Sequence, residues 1–163
     1  MKSQQIEDEY SAGLTQAKAD ATNLISIVAE LARAAEDTEL ADSLRDHANE
    51  LSRQVDRLSE ITLIKSSVGD DQIMVVLATK ASTAIAANPR SPIRDIAMIA
   101  ALQHIQHYQI ATFGTLAAYA KTLGRHHEKR VLGALLEDER ALDEDLTVIA
   151  SMILDPHDQA VAA

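Results

Sequence analysis

The sequence predicts an all-α fold: four long helices packed antiparallel, with one additional short helix in the connection between the second and the third. Three observations predict it. Of 163 residues, 47% are hydrophobic but only 2% aromatic, with no Trp and one Phe; strands want aromatic and β-branched side chains. Only 5 Gly and 3 Pro punctuate the chain, too few for the turns of a sandwich or barrel. Apolar residues also recur at alternating steps of three and four over long stretches, the period of a helix face.

The first helix is expected near 3–35. Ile6, Tyr10, Leu14, Ala17, Ala21, Leu24, Val28, Leu31 and Ala35 form one continuous stripe. Glu36-Asp37-Thr38 breaks that stripe and offers N-caps for a second helix near 38–66. Its stripe is Leu40, Leu44, His47, Leu51, Val55, Leu58 and Thr62, and it ends in the turn cluster Ser66-Ser67-Val68-Gly69-Asp70. A shorter helix covers Asp71 to Ala87. Asn88-Pro89-Arg90-Ser91-Pro92 is the strongest break, with Ser91 as N-cap and Pro92 at the first helical position of the next helix.

That next helix, near 92–123, is apolar nearly all round, so it should be the most buried. Gly124 is placed to end it as a C′ residue. The last helix, near 125–154, carries the stripe Leu132, Leu135, Glu139, Leu142, Leu146, Ile149 and Ile153 and stops at Asp155-Pro156. The length gives one domain, residues 1–163, with a frayed tail from about 157. Long helices with short connections pack as antiparallel neighbours at crossing angles of roughly 20°.

The net charge of −10 opposes nucleic-acid binding, which draws its affinity from clustered Lys and Arg. It equally opposes an anionic membrane surface. There is no Cys, which removes disulfides, thiolate zinc sites, iron–sulfur clusters and thiol catalysis. No apolar run reaches spanning length, and Met1–Gln5 has no apolar leader character. A cytoplasmic protein is therefore expected. Gly-rich phosphate loops and nucleophile elbows are absent from the sequence as well.

In packed helices, function sits where polar groups interrupt an apolar stripe. Glu139 is the only charged residue in its stripe, with Asp143 one turn on. His47, Glu50 and Gln54 make a ladder beside the Leu44–Leu51 seam. Gln106 and Gln109 break the ladder Ile99, Leu102, Phe113, Leu116, and His104 and His107 precede Tyr108. Carboxylates and imidazoles facing one another across helices are the donors that hard or borderline divalent metals take. The usual di-iron pattern needs Glu-x-x-His on two helices. That motif does not occur here, whereas the reverse, His47-x-x-Glu50, occurs once. The same residues read equally as a hydrogen-bonded polar core layer. The acids Glu137, Asp138, Glu144 and Asp145, and the pair His126-His127, read as solvated surface.

The segment Arg94-Asp95-Ile96-Ala97-Met98-Ile99-Ala100-Ala101-Leu102-Gln103-His104-Ile105-Gln106-His107-Tyr108-Gln109-Ile110-Ala111, with Phe113-Gly114, resembles the R-D-A-A-L-I-A-A-A-Q-x-V-E-H-Y-E-I-A-x-Y-G stretch of the YciE/YciF-like family. That family is a bacterial, stress-associated branch of the ferritin-like superfamily. Tyr10-Ser11-Ala12, His47-x-x-Glu50 with Gln54-Val55-x-Arg57-Leu58, and Glu137-x-Glu139-x-Ala141-x-Asp143-x-x-Leu146 are similar to its patterns in the other long helices. The resemblance implies a ferritin-like antiparallel four-helix bundle, a homodimer and a carboxylate-bridged di-metal centre.

Against that pattern, the family's acidic positions fall on Gly13, Gln106 and Gln109. His47, Glu50, Glu139 and Asp143 match, and their three acids cannot balance the four charges of two divalent ions in a low-dielectric interior. The expectation is a degenerate or absent centre, no cofactor, and a structural or interaction role rather than catalysis. Gln54, Gln106, Gln109, Tyr108 and Asp143 would form a polar core layer in which Glu50 and Glu139 find hydrogen bonds from Gln106, Gln109, His47 or Tyr108. The alternative is a redox-active protein holding iron or manganese at a reduced or mononuclear site of His47, Glu50, His107 and Glu139. A homodimer is expected because the third long helix is apolar on more than one face.

Overall fold

A computed structural model describes residues 2–62 and 71–155. Five helices follow in order: α1 (Lys2–Ala34), α2 (Thr38–Ile61), α3 (Gln72–Ala87), α4 (Pro92–Thr122) and α5 (His126–Leu154). There is no strand among the described residues. The expected turn cluster at 66–70 and the tail from 157 lie outside them.

The helix boundaries follow from caps. The Asp37 side chain accepts from the Leu40 N–H at 2.9 Å, Asp71 accepts from Ile73 and Met74, and Ser91 accepts from Arg94 with Pro92 in the first turn. Gly124 has φ of 73°. With it in that left-handed conformation, Arg125 N–H reaches Ala120 O at 2.8 Å and Gly124 N–H reaches Lys121 O at 3.2 Å, a Schellman ending that an L side chain would strain. One boundary differs from expectation. α2 stops at Ile61 rather than near 66, because Thr62 takes extended backbone while its hydroxyl donates to Leu58 O at 2.6 Å.

The two sequential pairs, α1 with α2 and α4 with α5, make the closest packing. α2 also meets α5, α1 meets α4, and α3 lies on α4 and α1. α1 and α4 run in opposite directions: Arg94 reaches the Ala34 carbonyl, while Gly13 lies against Leu116 at the other end. Stripes predicted from sequence line this interior. Tyr10, Leu14, Ala17, Ala21, Leu24, Val28, Leu31 and Ala35 are all buried, as are Leu40, Leu44, Leu51 and Leu58, and Leu132, Leu135, Leu146 and Ile149. In α3, by contrast, only Met74 and Ala81 are buried.

Two polar clamps join the pairs. Asp95 is 0% exposed, and its carboxylate accepts from the backbone N–H of Glu36 at 3.0 Å and of Asp37 at 2.7 Å. It thereby satisfies donors at the α2 N-terminus from the first turn of α4, where both helix dipoles favour an anion. Arg94 and Arg90 donate to the terminal carbonyls of the preceding segment, Ala34 and Ala35. At the opposite end the Tyr10 hydroxyl donates to Glu128 at 2.6 Å. Arg125 stacks 5.3 Å from the Tyr10 ring centre and pairs with Glu7 and Glu128.

Removing the first clamp should be costly, because it takes a buried carboxylate away from two backbone donors at the α2 N-terminus. Asp95→Ala is expected to lower unfolding free energy by about 3 kcal/mol and Asp95→Asn by roughly half that, measured by urea denaturation. A loss below about 1 kcal/mol for Asp95→Ala would show that the α1–α2 turn is held by other means.

Candidate functional site, a buried polar band

α2, α4 and α5 each turn polar side chains into the apolar interior. Gln54 and His47 come from α2, Gln106 and Gln109 from α4, and Glu139 from α5; all are buried. Their helical positions follow from their stripes: Leu51 and Leu58 flank Gln54, Leu102 and Phe113 flank the two glutamines of α4, and Leu135 and Leu146 flank Glu139. Each polar group is carried inward by apolar neighbours at steps of three, four or seven.

Two contacts organise the band. Gln54 Nε2 donates to Glu139 Oε1 at 2.7 Å, and Gln106 Nε2 lies 3.4 Å from His47 Nε2. Among the described residues, the buried side-chain oxygens without a partner are Gln54 Oε1, Gln106 Oε1, Gln109 Oε1, Glu139 Oε2 and Asp143 Oδ1. Each of these is an acceptor, so the band is short of donors. A protonated Glu139 supplies one, since the neutral carboxyl gains an O–H. Burial pushes the Glu139 carboxyl up to about 7, with the charges of Asp138 and Glu50 adding and the Gln54 hydrogen bond opposing. Burial also lowers His47 to about 4, so its ring is neutral at neutral pH.

The remaining candidates lie elsewhere. Glu50, expected among the buried amides, is instead part-exposed at the α2–α5 seam and held by Arg53 and by Arg57 at 3.6 Å. Arg57 in turn reaches Asp138 of α5 at 2.8 Å. Guanidinium groups at i+3 and i+7 give Glu50 an ionic partner in water, which a core of amides cannot match. Tyr108 is turned away from the band and donates to Asp71, the cap of α3. His107 is 68% exposed, with Nε2 3.8 Å from Asp143. Gly13 does not reach the band either. A Cβ there would meet Leu116 Cδ2 at 2.7 Å, and Leu116 lies two turns, about 10 Å, beyond Gln109 along α4. His126 and His127 are exposed.

Among the described residues, no three His, Asp or Glu side chains come together as a ligand set for a metal ion. The band does not fit a carboxylate-bridged centre: Glu139 is its one fully buried acid, the Oε1 of that acid is occupied by an amide N–H, and Asp143 one turn on adds a single buried oxygen. Two further buried carboxylates, Asp20 and Asp95, are not among the expected site residues. Asp95 stands one turn before Ile99 on the ladder Ile99–Leu116, and Asp20 stands three residues after Ala17 and four before Leu24, so helical spacing was the signal for both.

The folded protein binds the Glu139 proton more tightly than the unfolded chain, whose carboxyl titrates near 4.5. That contribution to stability is complete below about pH 4.5 and is lost as pH rises through 7. His47 acts oppositely: its contribution is complete above its ordinary 6.5 and is lost as pH falls toward 4. Glu139→Gln isolates the first effect. Its stability relative to the parent should rise from near zero at pH 4.5 to about 3 kcal/mol above pH 8, read by urea unfolding across pH. A difference independent of pH would refute the buried-proton account.

The described residues contain no helix long and apolar enough to cross a membrane. The family described as domain of unknown function DUF892 matches residues 5–157. Protein YciF of Escherichia coli strain K12 is 31% identical over 154 residues, covering 92% of this chain and 93% of its own. The crystal structure of the E. coli stress protein YciF superposes with a TM-score of 0.87 over 91% of this chain and 96% of that one. YcfI of Rhodopseudomonas palustris, a protein with a suggested structural role, is 26% identical and superposes with a TM-score of 0.82, covering 87% of this chain and 92% of its own.

Proposed function

This chain belongs to the DUF892 family, and from that premise we propose that it is a stress-associated, ferritin-like protein whose di-metal centre has become a hydrogen-bonded polar core. In this reading it is a ferritin-like antiparallel four-helix bundle with α3 as the additional short helix, cytoplasmic, and working as a homodimer in a structural or interaction role rather than as a catalyst. The stress association follows from its likeness to YciF, and the structural role is in keeping with its likeness to YcfI.

One observation carries the reading. Gln54 places an N–H 2.7 Å from the Glu139 carboxylate, at the one acid of the band, where a bound cation would need a lone pair. Gln106 and Gln109 keep the length of glutamate but bring no charge, so a divalent ion would leave the interior with uncompensated positive charge. The dimer is supported by α3, where Ile73, Val75 and Val76 are exposed on the helix that contributes least to the core.

The test is metal content. The parent, purified without chelator, should carry far less than one equivalent of iron or manganese, and EDTA should leave its Tm unchanged, because no ion contributes to folding. Gln106→Glu with Gln109→Glu should raise manganese affinity at least tenfold. Stoichiometric metal in the parent, or an EDTA-induced fall in Tm, would overturn the reading and favour a metal-binding, redox-active protein with a reduced site.

A further inference from the structure

A second polar feature lies apart from the band, in a cleft of about 330 Å³ between α1 and α3. Its walls are largely apolar, with Leu24 and Ile27 from α1 and Met74 and Ala78 from α3, and Asp20 and Asp71 stand on the same lining. The two carboxylates differ in how they are used. Asp71 is fully engaged: one oxygen accepts from the Ile73 and Met74 N–H groups as the α3 cap, and the other accepts from Tyr108. Asp20 is only 5% exposed and receives a single neutral hydrogen bond, from Gln16 Nε2 to Oδ1 at 2.9 Å. No Lys, Arg or His among the described residues forms an ion pair with it. Burial, with Asp71 adding to it and Gln16 opposing, pushes its carboxyl up to about 6.

We propose that this cleft binds a small organic cation, an ammonium group on a short apolar body, with the ammonium on the free oxygen of Asp20 and the body between Leu24, Ile27, Met74 and Ala78. A buried carboxylate without a counter-ion is costly and strongly favours a cation brought to it. The apolar walls reward a carbon chain and give a bare metal ion nothing, and both oxygens of the second carboxylate are already hydrogen-bonded. The volume is at the lower end for small-molecule sites, which sets the size of the guest at a chain of several carbons. The chain's net charge of −10 adds a field that draws cations in. The cleft shares no residue with the polar band, so its test is independent of the reading above.

The probe is n-hexylammonium chloride, titrated into the full chain and followed by ¹H–¹⁵N NMR, with 1-hexanol as its uncharged counterpart. Hexylammonium should shift amides of residues 20–27 and 71–79 and bind at least tenfold more tightly than hexanol. Asp20→Asn keeps the shape and relieves a buried charge, so its Tm should hold or rise while its affinity for hexylammonium falls tenfold to the level of hexanol. Ala78→Leu, which narrows the cleft, should weaken both probes together. Equal binding of the two probes by the parent, shifts confined to other helices, or full hexylammonium affinity in folded Asp20→Asn would each overturn the proposal.

Discussion

A single buried carboxylate bonded to one amide sets the terms for the middle of this molecule. Glu139 is 2% exposed, and its one hydrogen-bond partner is Gln54 on the facing helix. A buried carboxylate must be paired, protonated or bound to a cation, since desolvating it alone costs several kcal/mol. Here it is bonded by one amide and drawn toward protonation. The other residues of the band fall into line with that choice. His47 is neutral, Gln106 meets it without a charge, and the unsatisfied groups are all acceptors, which a proton on Glu139 helps to balance. Ionic interactions are kept out of the band. Glu50, Arg53, Arg57 and Asp138 form their network on the part-exposed seam between α2 and α5.

Such a band can sit between long apolar helices only if the helices are held in register, and the two ends supply that. Asp95, Arg94 and Arg90 tie the start of α4 to the α1–α2 turn. Tyr10, Glu7, Glu128 and Arg125 tie the start of α1 to the start of α5. The first clamp uses backbone groups that would otherwise be orphaned at helix ends, and the second is built from side chains alone. With both ends fixed, Gln54 and Glu139 face each other across two helices that are distant in sequence.

The helices themselves were legible because stripes and caps are local. Leu14 through Leu31, the Asp37 and Ser91 caps and Gly124 needed no knowledge of partners. Gln106 and Gln109 were equally legible as interruptions of the Ile99–Leu116 ladder. Sequence is ambiguous where one position on a helix decides between two faces. In α2 both Gln54 and Val55 fit steps of three and four from Leu51 and Leu58, and the structure buries Gln54 and leaves Val55 half-buried. Glu50 fits the same ladder, and its arginines at 53 and 57 are the signal in the sequence that it faces water. Tyr108 reads from sequence as part of the polar core layer, but its hydroxyl is taken by Asp71, the cap of a different helix. Gly13 lies against Leu116, a contact between α1 and α4 that no local pattern in either helix specifies.

The central claim is that side-chain hydrogen bonds, and not an ion, close the space around Glu139. The side-chain amide of Gln54 reports on it directly, because the same group would have to leave Glu139 if a cation took its place. Its ¹⁵N resonance should be protected from solvent exchange and should stay sharp when one equivalent of Mn²⁺ is added. Selective paramagnetic broadening of the Gln54 side-chain amide at stoichiometric Mn²⁺ would contradict the account.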